Sequence, residues 1–375
     1  MYDAIVVGLG GMGSAALYHL ARKGARVLGL EQFGVAHALG SSHGQTRLIR
    51  MAYFEHADYV PLLRESFAAW DQLCAVTGED LFVRTGLALW GPPAGGEVLP
   101  GTLASAEKYG IALHVWDHDE ARRQLPLHRA PPGFRCAFEP GAGFLRVEAC
   151  VQAHVDCARA LGATVVAHAA VRSWRPDGAG VAVDFNGQTV HAHQLVLTTG
   201  AWSGPVLREL GADLAVHRNA LVWLRSAPDH RLQSGAPCFG FELPEGFFYG
   251  FPALDDRGVK AALHLPGERL TDPGEVDRSR RPADTAPVVD FAAACLPGVG
   301  PEVTDSAVCL YEMSPDGHFV VDRHPRWPQV IVAGGFSGHG FKFAPAMGRV
   351  LADAALGAAL DPAVGFLSAA RFVRP

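Results

Sequence analysis

The chain has 375 residues, 49% of them hydrophobic and 19% charged, with a formal net charge of −6. That length exceeds what one hydrophobic core serves, and the composition is that of a folded chain rather than a disordered one, so two packed domains are expected. The negative balance, without a Lys/Arg cluster, excludes the basic face that nucleic acid or an anionic membrane favours, and a small-molecule partner is expected instead.

Further exclusions follow from what the chain lacks. No apolar run reaches the roughly 18 residues of a spanning helix, and Met1-Tyr2-Asp3 opens no basic leader, so a cytoplasmic protein is expected. The seven cysteines include no CxxC pair, which argues against both a disulfide framework and a zinc site, and no metal is expected.

In chain order, Ala4 to Val7 reads as a strand, Gly8 to Gly13 as a turn, and Ser14 to Lys23 as a helix closed by Gly24. Arg26 to Leu30 is a second strand ending at Glu31. Thr46 to Cys74 is an amphipathic stretch, with Leu62, Leu63, Phe67 and Trp70 at helical spacing and Arg50 in its first turns. From Phe82 to Phe138 short strands alternate with Pro/Gly turns, as in Leu87 to Trp90 before Gly91-Pro92-Pro93. Helical spacing returns at Glu148 to Leu161, and Leu195 to Thr198 before Gly200 reads as a strand of a parallel sheet. Val216 to Leu265 reads as β structure; Val330 to Ala333, a glycine-rich loop and a helix from Pro345 to Leu356 close the chain. No internal repeat is present. The expected fold is α/β in two interleaved domains of α+β type: a Rossmann-like dinucleotide-binding domain from 1–80, 143–213 and 305–375, and a mainly antiparallel-sheet substrate domain from 81–142 and 214–304.

The first turn carries the chemistry. VVGLGGMG places Gly8, Gly10 and Gly13 at GxGxxG spacing, with Gly11 and Met12 between, directly after a strand and before a helix. Gly8 permits the tight turn, Gly10 lets a pyrophosphate approach bare backbone, and Gly13 lets helix and strand pack closely. Amides at the helix start face the phosphates, and Glu31 can accept from both hydroxyls of an adenosine ribose. The motif predicts a dinucleotide without separating FAD from NAD.

Four separated segments extend the reading: GSSHGQTRLIR (Gly40 to Arg50), FYGFP (Phe248 to Pro252) with Lys260 and His264 downstream, AVCLY (Ala307 to Tyr311), and GFSGHGFKF (Gly335 to Phe343). Together they resemble the monomeric sarcosine oxidase and N-methyltryptophan oxidase family of FAD-dependent amine oxidases. The resemblance implies a monomeric oxidase of secondary amino acids with O2 as acceptor, and FAD joined through an 8α-S-cysteinyl bond at Cys309. It implies flavin contacts at Ser41, Ser42, His43, Thr46, Arg47, Val171, Gly200, Trp202, Gly338, Gly340, Phe341 and Lys342. Arg50 and Lys342 are implied to hold an amino-acid carboxylate, a planar fork beside a point charge. Tyr249, Tyr311, His264 and His339 are implied to shape the catalytic pocket, and Lys260, supported by Arg47, to favour oxygen reduction through its charge.

Departures from the family pattern bear on specificity. Gly240 stands where sarcosine oxidases carry a methionine against the substrate, so it either enlarges the pocket or leaves room for another side chain. Ser42 replaces a histidine, and Glu312-Met313 follow Tyr311 where the family varies. The expected reaction is oxidation of an N-methyl or α C–H bond to an imine, hydrolysed to aldehyde and amine, with H2O2 formed. Open alternatives are an oxidase of a bulkier or cyclic secondary amino acid, an NAD-linked dehydrogenase, and a flavin-binding protein without turnover.

Overall fold

A computed structural model describes residues 1–373. Strand β1 (Tyr2–Val7), helix α1 (Gly11–Arg22) and strand β2 (Val27–Leu30) form the opening unit, with β1 and β2 parallel. The eight-stranded sheet they start runs in the order 171–177, 180–185, 188–197, β1, β2, 164–166, with Val330–Gly334 parallel to 188–197 and Val320–Arg323 beside it. Ala4 to Val7 and Val330 to Gly334 are buried throughout, as parallel strands covered on both faces must be. On one face α1 packs against the helices Ala344–Ala355 and Val147–Ala160. Gly348 sets the first of these distances, because a Cβ there would stand 2.6 Å from Ala15.

The second sheet has nine strands and is mainly antiparallel, with Cys238–Leu243 parallel to Leu87–Gly91 as the exception. Its longest member, Val299–Met313, pairs along Ala215–Ser226 and crosses the expected boundary at 304/305 as one element. Strand β3 (Thr46–Ile49), Phe82–Arg84 and Gly143–Arg146 make a small third sheet. The α/β class, with a parallel dinucleotide sheet joined to a mainly antiparallel one, is the expected architecture.

Several local expectations change. The first helix begins at Gly11, not Ser14, since glycine is tolerated at a helix N-terminus better than in a helix interior. Thr46 to Cys74 is not one helix: β3 is extended, and α2 (Val60–Thr77) follows only after an irregular segment from Arg50 to His56. Pairing of β3 with Gly143–Arg146 overrides the helical spacing at the start of that stretch, and Arg50 therefore follows a strand. Between Phe82 and Phe138 the structure adds the helices Val98–Tyr109 and His118–Gln124, which the Pro/Gly turns masked. The other elements start within a residue or two of their expected positions, although the strand ending at Leu197 is longer, from Gln188.

Candidate active site

A cavity of about 480 Å³ runs from the β1–α1 turn to the antiparallel sheet and is lined by residues from both. At one end Gly8, with φ of +86°, makes the turn at which a Cβ would meet the Thr198 carbonyl at 2.5 Å. Gly10, Gly11 and Met12 line the cavity; Gly13 does not, and serves as packing, since its Cβ would lie 1.8 Å from the Gly8 carbonyl oxygen. No side chain caps α1, so its first amides remain available to an anion. Glu31 closes this end. Its Oε2 accepts from the Leu9 amide at 2.7 Å and its Oε1 from the Phe33 amide at 3.1 Å. Burial opposes ionisation, but His37 and these amides hold the carboxyl below its ordinary value. Val171, Gly200 and Trp202 line the adjoining wall.

In the middle, Ser41, Ser42, Arg47 and Cys309 converge from the loop after β2, from β3 and from the long strand. The Ser42 hydroxyl accepts from the Gly11 amide at 3.0 Å and the Ser41 hydroxyl donates to the Leu310 carbonyl at 2.6 Å. Arg47 places Nη2 3.1 Å from Cys309 Sγ and donates to the Ser41 and Thr46 carbonyls. All seven cysteines are free thiols, and Cys309 is the one lining the cavity.

At the far end lie Arg50, Tyr249, His264, Tyr311, Gly338, His339 and Lys342, while Gly340 and Phe341 also line the cavity, the Phe341 ring lying against Gly11. Two cations converge there on one ring: Arg50 Cζ lies 4.6 Å and Lys342 Nζ 5.1 Å from the centre of Tyr53. Burial, then the charges of Arg50 and Arg47, brings the Lys342 ammonium down to about 7 against the pull of Glu55. Glu55 pairs with Arg50; burial opposes its charge, yet Arg50, His339 and Lys342 bring its carboxyl to about 2. Burial lowers His264 to about 4 and His339 to about 3, so both are uncharged at neutral pH. His264 Nδ1 meets the Tyr311 hydroxyl at 3.1 Å, and His339 Nδ1 meets the Tyr53 hydroxyl at 2.6 Å. Gly338 (φ +77°) lies against Tyr311, whose ring would meet a Cβ there at 2.4 Å.

Four other expected residues stand outside the lining. Lys260 is 1% exposed and gives its three N–H donors to the Gly44 carbonyl, the Thr46 carbonyl and the Thr46 hydroxyl, at 2.5, 2.8 and 3.1 Å. The two carbonyls are obligate acceptors, and the Thr46 hydroxyl accepts the third N–H of the ammonium. Burial and Arg47 nonetheless push its pKa well below the usual lysine value. The Thr46 carbonyl thus joins Lys260 to Arg47, behind the cavity wall. Thr46 and His43 are buried in that wall as well, and burial brings His43 down to about 4. Gly240 is covered: a Cβ would meet Phe247 Cζ at 2.5 Å and Leu89 Cδ2 at 2.8 Å. It therefore leaves room for another side chain rather than enlarging the pocket, and Phe247 is the residue that takes the room. Phe54, Glu55 and Phe247 line the cavity without having been expected. The signal for Phe247 was its two-residue spacing from Tyr249 on one strand; Phe54 and Glu55 sit on irregular backbone that has no periodic signature.

The bare turn, the uncapped helix, the Glu31 carboxylate beside them and a cavity long enough to reach the second sheet fit FAD. Among the described residues no group of three or more His, Cys, Asp or Glu could hold a metal, and no helix is long and apolar enough to cross a membrane.

Residues 3–354 match the FAD dependent oxidoreductase family. The chain is 38% identical over 363 residues to the monomeric sarcosine oxidase of Streptomyces avermitilis, covering 95% of this chain and 94% of that protein. It is 33% identical over 362 residues to the N-methyl-L-tryptophan oxidase of Salmonella heidelberg, covering 95% of each. Among solved structures it superposes on NikD, described as an unusual amino acid oxidase essential for nikkomycin biosynthesis, with a TM-score of 0.84 at 24% identity, covering 98% of this chain and 97% of that one. The glycine oxidase of Geobacillus kaustophilus gives 0.82 at 22% identity over 100% and 99% of the two chains, a likeness of fold. With the segments around Arg50, Tyr249, Cys309 and Lys342 gathered on one cavity, this chain belongs to the FAD-dependent oxidoreductases, in the group of the monomeric sarcosine oxidases and N-methyltryptophan oxidases.

Proposed function

We propose that the protein oxidises secondary amino acids: a C–H bond next to the amine gives up a hydride equivalent, the imine is hydrolysed to aldehyde and amine, and O2 is reduced to H2O2. For an N-methyl substrate the aldehyde is formaldehyde. The observation that carries this is the pair of buried cations, Arg50 and Lys342, meeting at Tyr53 at the end of the cavity opposite the dinucleotide turn. The relatives named sarcosine oxidase and N-methyl-L-tryptophan oxidase support it. The NAD-linked alternative falls with the family match.

FAD, when bound, supplies the two-electron acceptor and returns the electrons to O2. The chain does the rest. Arg50 offers a fork and Lys342 a point charge to the substrate carboxylate. His264 is uncharged, and in the tautomer whose Nδ1–H donates to the Tyr311 oxygen its Nε2 is the ring atom free to accept a hydrogen bond from the substrate amine. Burial holds the hydroxyls of Tyr249 and Tyr311 above their ordinary pKa, so both remain protonated donors. Phe54 and Phe247 keep water from the amine. Cys309 is the tether for the flavin in this reading, with Arg47 beside its sulfur, and Lys260 supplies positive charge from behind the wall. The enzyme works as a monomer, which the name of the sarcosine oxidases supports.

The test is a panel of sarcosine, N-methyl aromatic amino acids and cyclic imino acids, read as peroxide in air and as bleaching of the yellow absorbance without it. Peroxide with matching bleaching is expected from at least one. Silence across the whole panel would sink the reading.

A further inference from the structure

The substrate end of the cavity has a charged side and an aromatic side. Phe247 and Tyr249 stand on the same face of the strand Gly246–Phe251, while Phe248 between them points into the core and stacks on Phe291 at 4.6 Å. In the antiparallel pairing with Cys238–Leu243, Tyr249 sits directly opposite Gly240, and Phe247 is its diagonal neighbour. Because Gly240 has no side chain, the Phe247 ring lies down across it, with Leu89 on the other flank. The ring is then fixed from several sides: 5.5 Å from Phe54 at 70°, 6.5 Å from Tyr249 at 17°, and 6.4 Å from His264 at 87°. Phe54 in turn lies 4.4 Å from the Arg50 guanidinium. Carboxylate anchor and aromatic corner thus adjoin through a single side chain.

We propose that Phe247, seated on the bare backbone of Gly240, is the specificity-determining residue of this enzyme, and that with Phe54 it forms a corner selecting secondary amino acids that carry a flat apolar substituent, aryl or alicyclic, over sarcosine. The proposal rests on the reading of Arg50 and Lys342 as the carboxylate anchor. Two rings set edge to face leave a third ring one partner to stack on and one to meet with its edge, the two favoured aromatic geometries. A polar or charged substituent would lose its water there without finding a hydrogen-bond partner. A flexible side chain at position 240 would lift the Phe247 ring into the cavity and close the corner.

Calorimetry of the purified holoenzyme with acetate and phenylacetate tests this without turnover, since neither carries an amine to oxidise. The wild-type protein is expected to bind phenylacetate at least about tenfold more tightly than acetate, from the buried ring and its aromatic partners. Phe247→Ala is expected to bring the two within about threefold while leaving acetate affinity near wild type, which also reports that the variant is folded. Phe247→Leu, closer to the native volume, should retain part of the preference, and Gly240→Met should abolish it by displacing the ring. Equal affinities in the wild type, an undiminished preference in Phe247→Ala, or no binding of either carboxylate overturns the proposal. A preference for phenylacetate that depends on Phe247, in an enzyme that yields no peroxide from any secondary amino acid, would keep the corner and reject the oxidase reading instead.

Discussion

Arg50 turns its guanidinium onto Glu55, with Nη2 at 2.7 and 2.5 Å from the two carboxylate oxygens, while its Nε is buried without a partner. An internal carboxylate therefore holds one nitrogen of the guanidinium that a substrate carboxylate needs, and the two anions compete for one cation. Glu55→Gln keeps an acceptor for Arg50 but removes the charge. At the separations of a buried site the loss of one anion is worth on the order of 1 to 2 kcal/mol. Acetate is thus expected to bind about tenfold more tightly in that variant, and more weakly than wild type in Arg50→Ala, both measured by calorimetry. An unchanged affinity in both variants would show that the carboxylate goes elsewhere.

Lys342 makes the same anchor sensitive to pH. Its pKa in the free site is brought down to about 7 by burial and by Arg50. A bound carboxylate favours the ammonium, so binding takes up a proton wherever free Lys342 has lost it. Affinity for a carboxylate without an amine is therefore full below pH 7 and weakens above it, with a limiting slope of tenfold per pH unit. The slope ends at the higher pKa of the complex. Lys342→Met is expected to bind more weakly and without that limb; a wild-type profile flat from pH 6 to 9 would refute the coupling.

How far the sequence led can be judged residue by residue. The dinucleotide end was legible because its demands are on backbone: only glycine tolerates the approaches at Gly8 and Gly13, and only a strand–turn–helix puts them there. The cavity lining at Arg47, Arg50, Tyr249, Cys309, Tyr311 and Lys342 was reached through resemblance, since each alone reads as an ordinary core or surface residue. Phe54 and Glu55 were not legible, because they lie between β3 and α2 on backbone with no period. Gly240 illustrates a different limit. The missing side chain was visible in one dimension, but which neighbour fills the space depends on strand register, which sets Phe247 diagonally across from it.

The Cys309 tether has a direct readout. Acid-precipitated protein should retain yellow flavin on the pellet, and Cys309→Ser should release it to the supernatant. Full release from the wild type would reject a covalent bond and leave Cys309 as a buried thiol against Arg47.

Lys260 holds the Gly44 and Thr46 carbonyls, so its replacement has a structural as well as an electrostatic consequence. Lys260→Met removes one donor from each of two buried carbonyls that keep another, the Thr46 amide on Gly44 and Arg47 on Thr46, a loss of about 0.5 to 1.5 kcal/mol each. If its charge also assists oxygen, rapid mixing should show reoxidation by O2 slowed far more than anaerobic reduction by substrate. Equal slowing of both half-reactions would restrict Lys260 to holding the loop and β3 in place.

Glu312 gives the cleanest pH signature of stability. It is 4% exposed, its Oε2 has no hydrogen-bond partner, and burial raises its carboxyl to about 7 despite the Gly335 and Phe336 amides. An acid raised in the folded state binds its proton more tightly there than in the unfolded chain. Between the unfolded value near 4.5 and the folded value near 7 the native state therefore holds the extra proton, and stability falls as pH rises through that window. The loss is about 3 kcal/mol, complete above pH 7. Glu312→Gln has no proton to lose, so thermal melts of variant and wild type should diverge with rising pH, the variant becoming the more stable by several degrees at pH 8. Parallel melting curves from pH 5 to 8 would mean that the carboxyl finds a partner when the holoenzyme is assembled, and bound FAD, which shares the cavity that Glu312 lines, is the group to supply it.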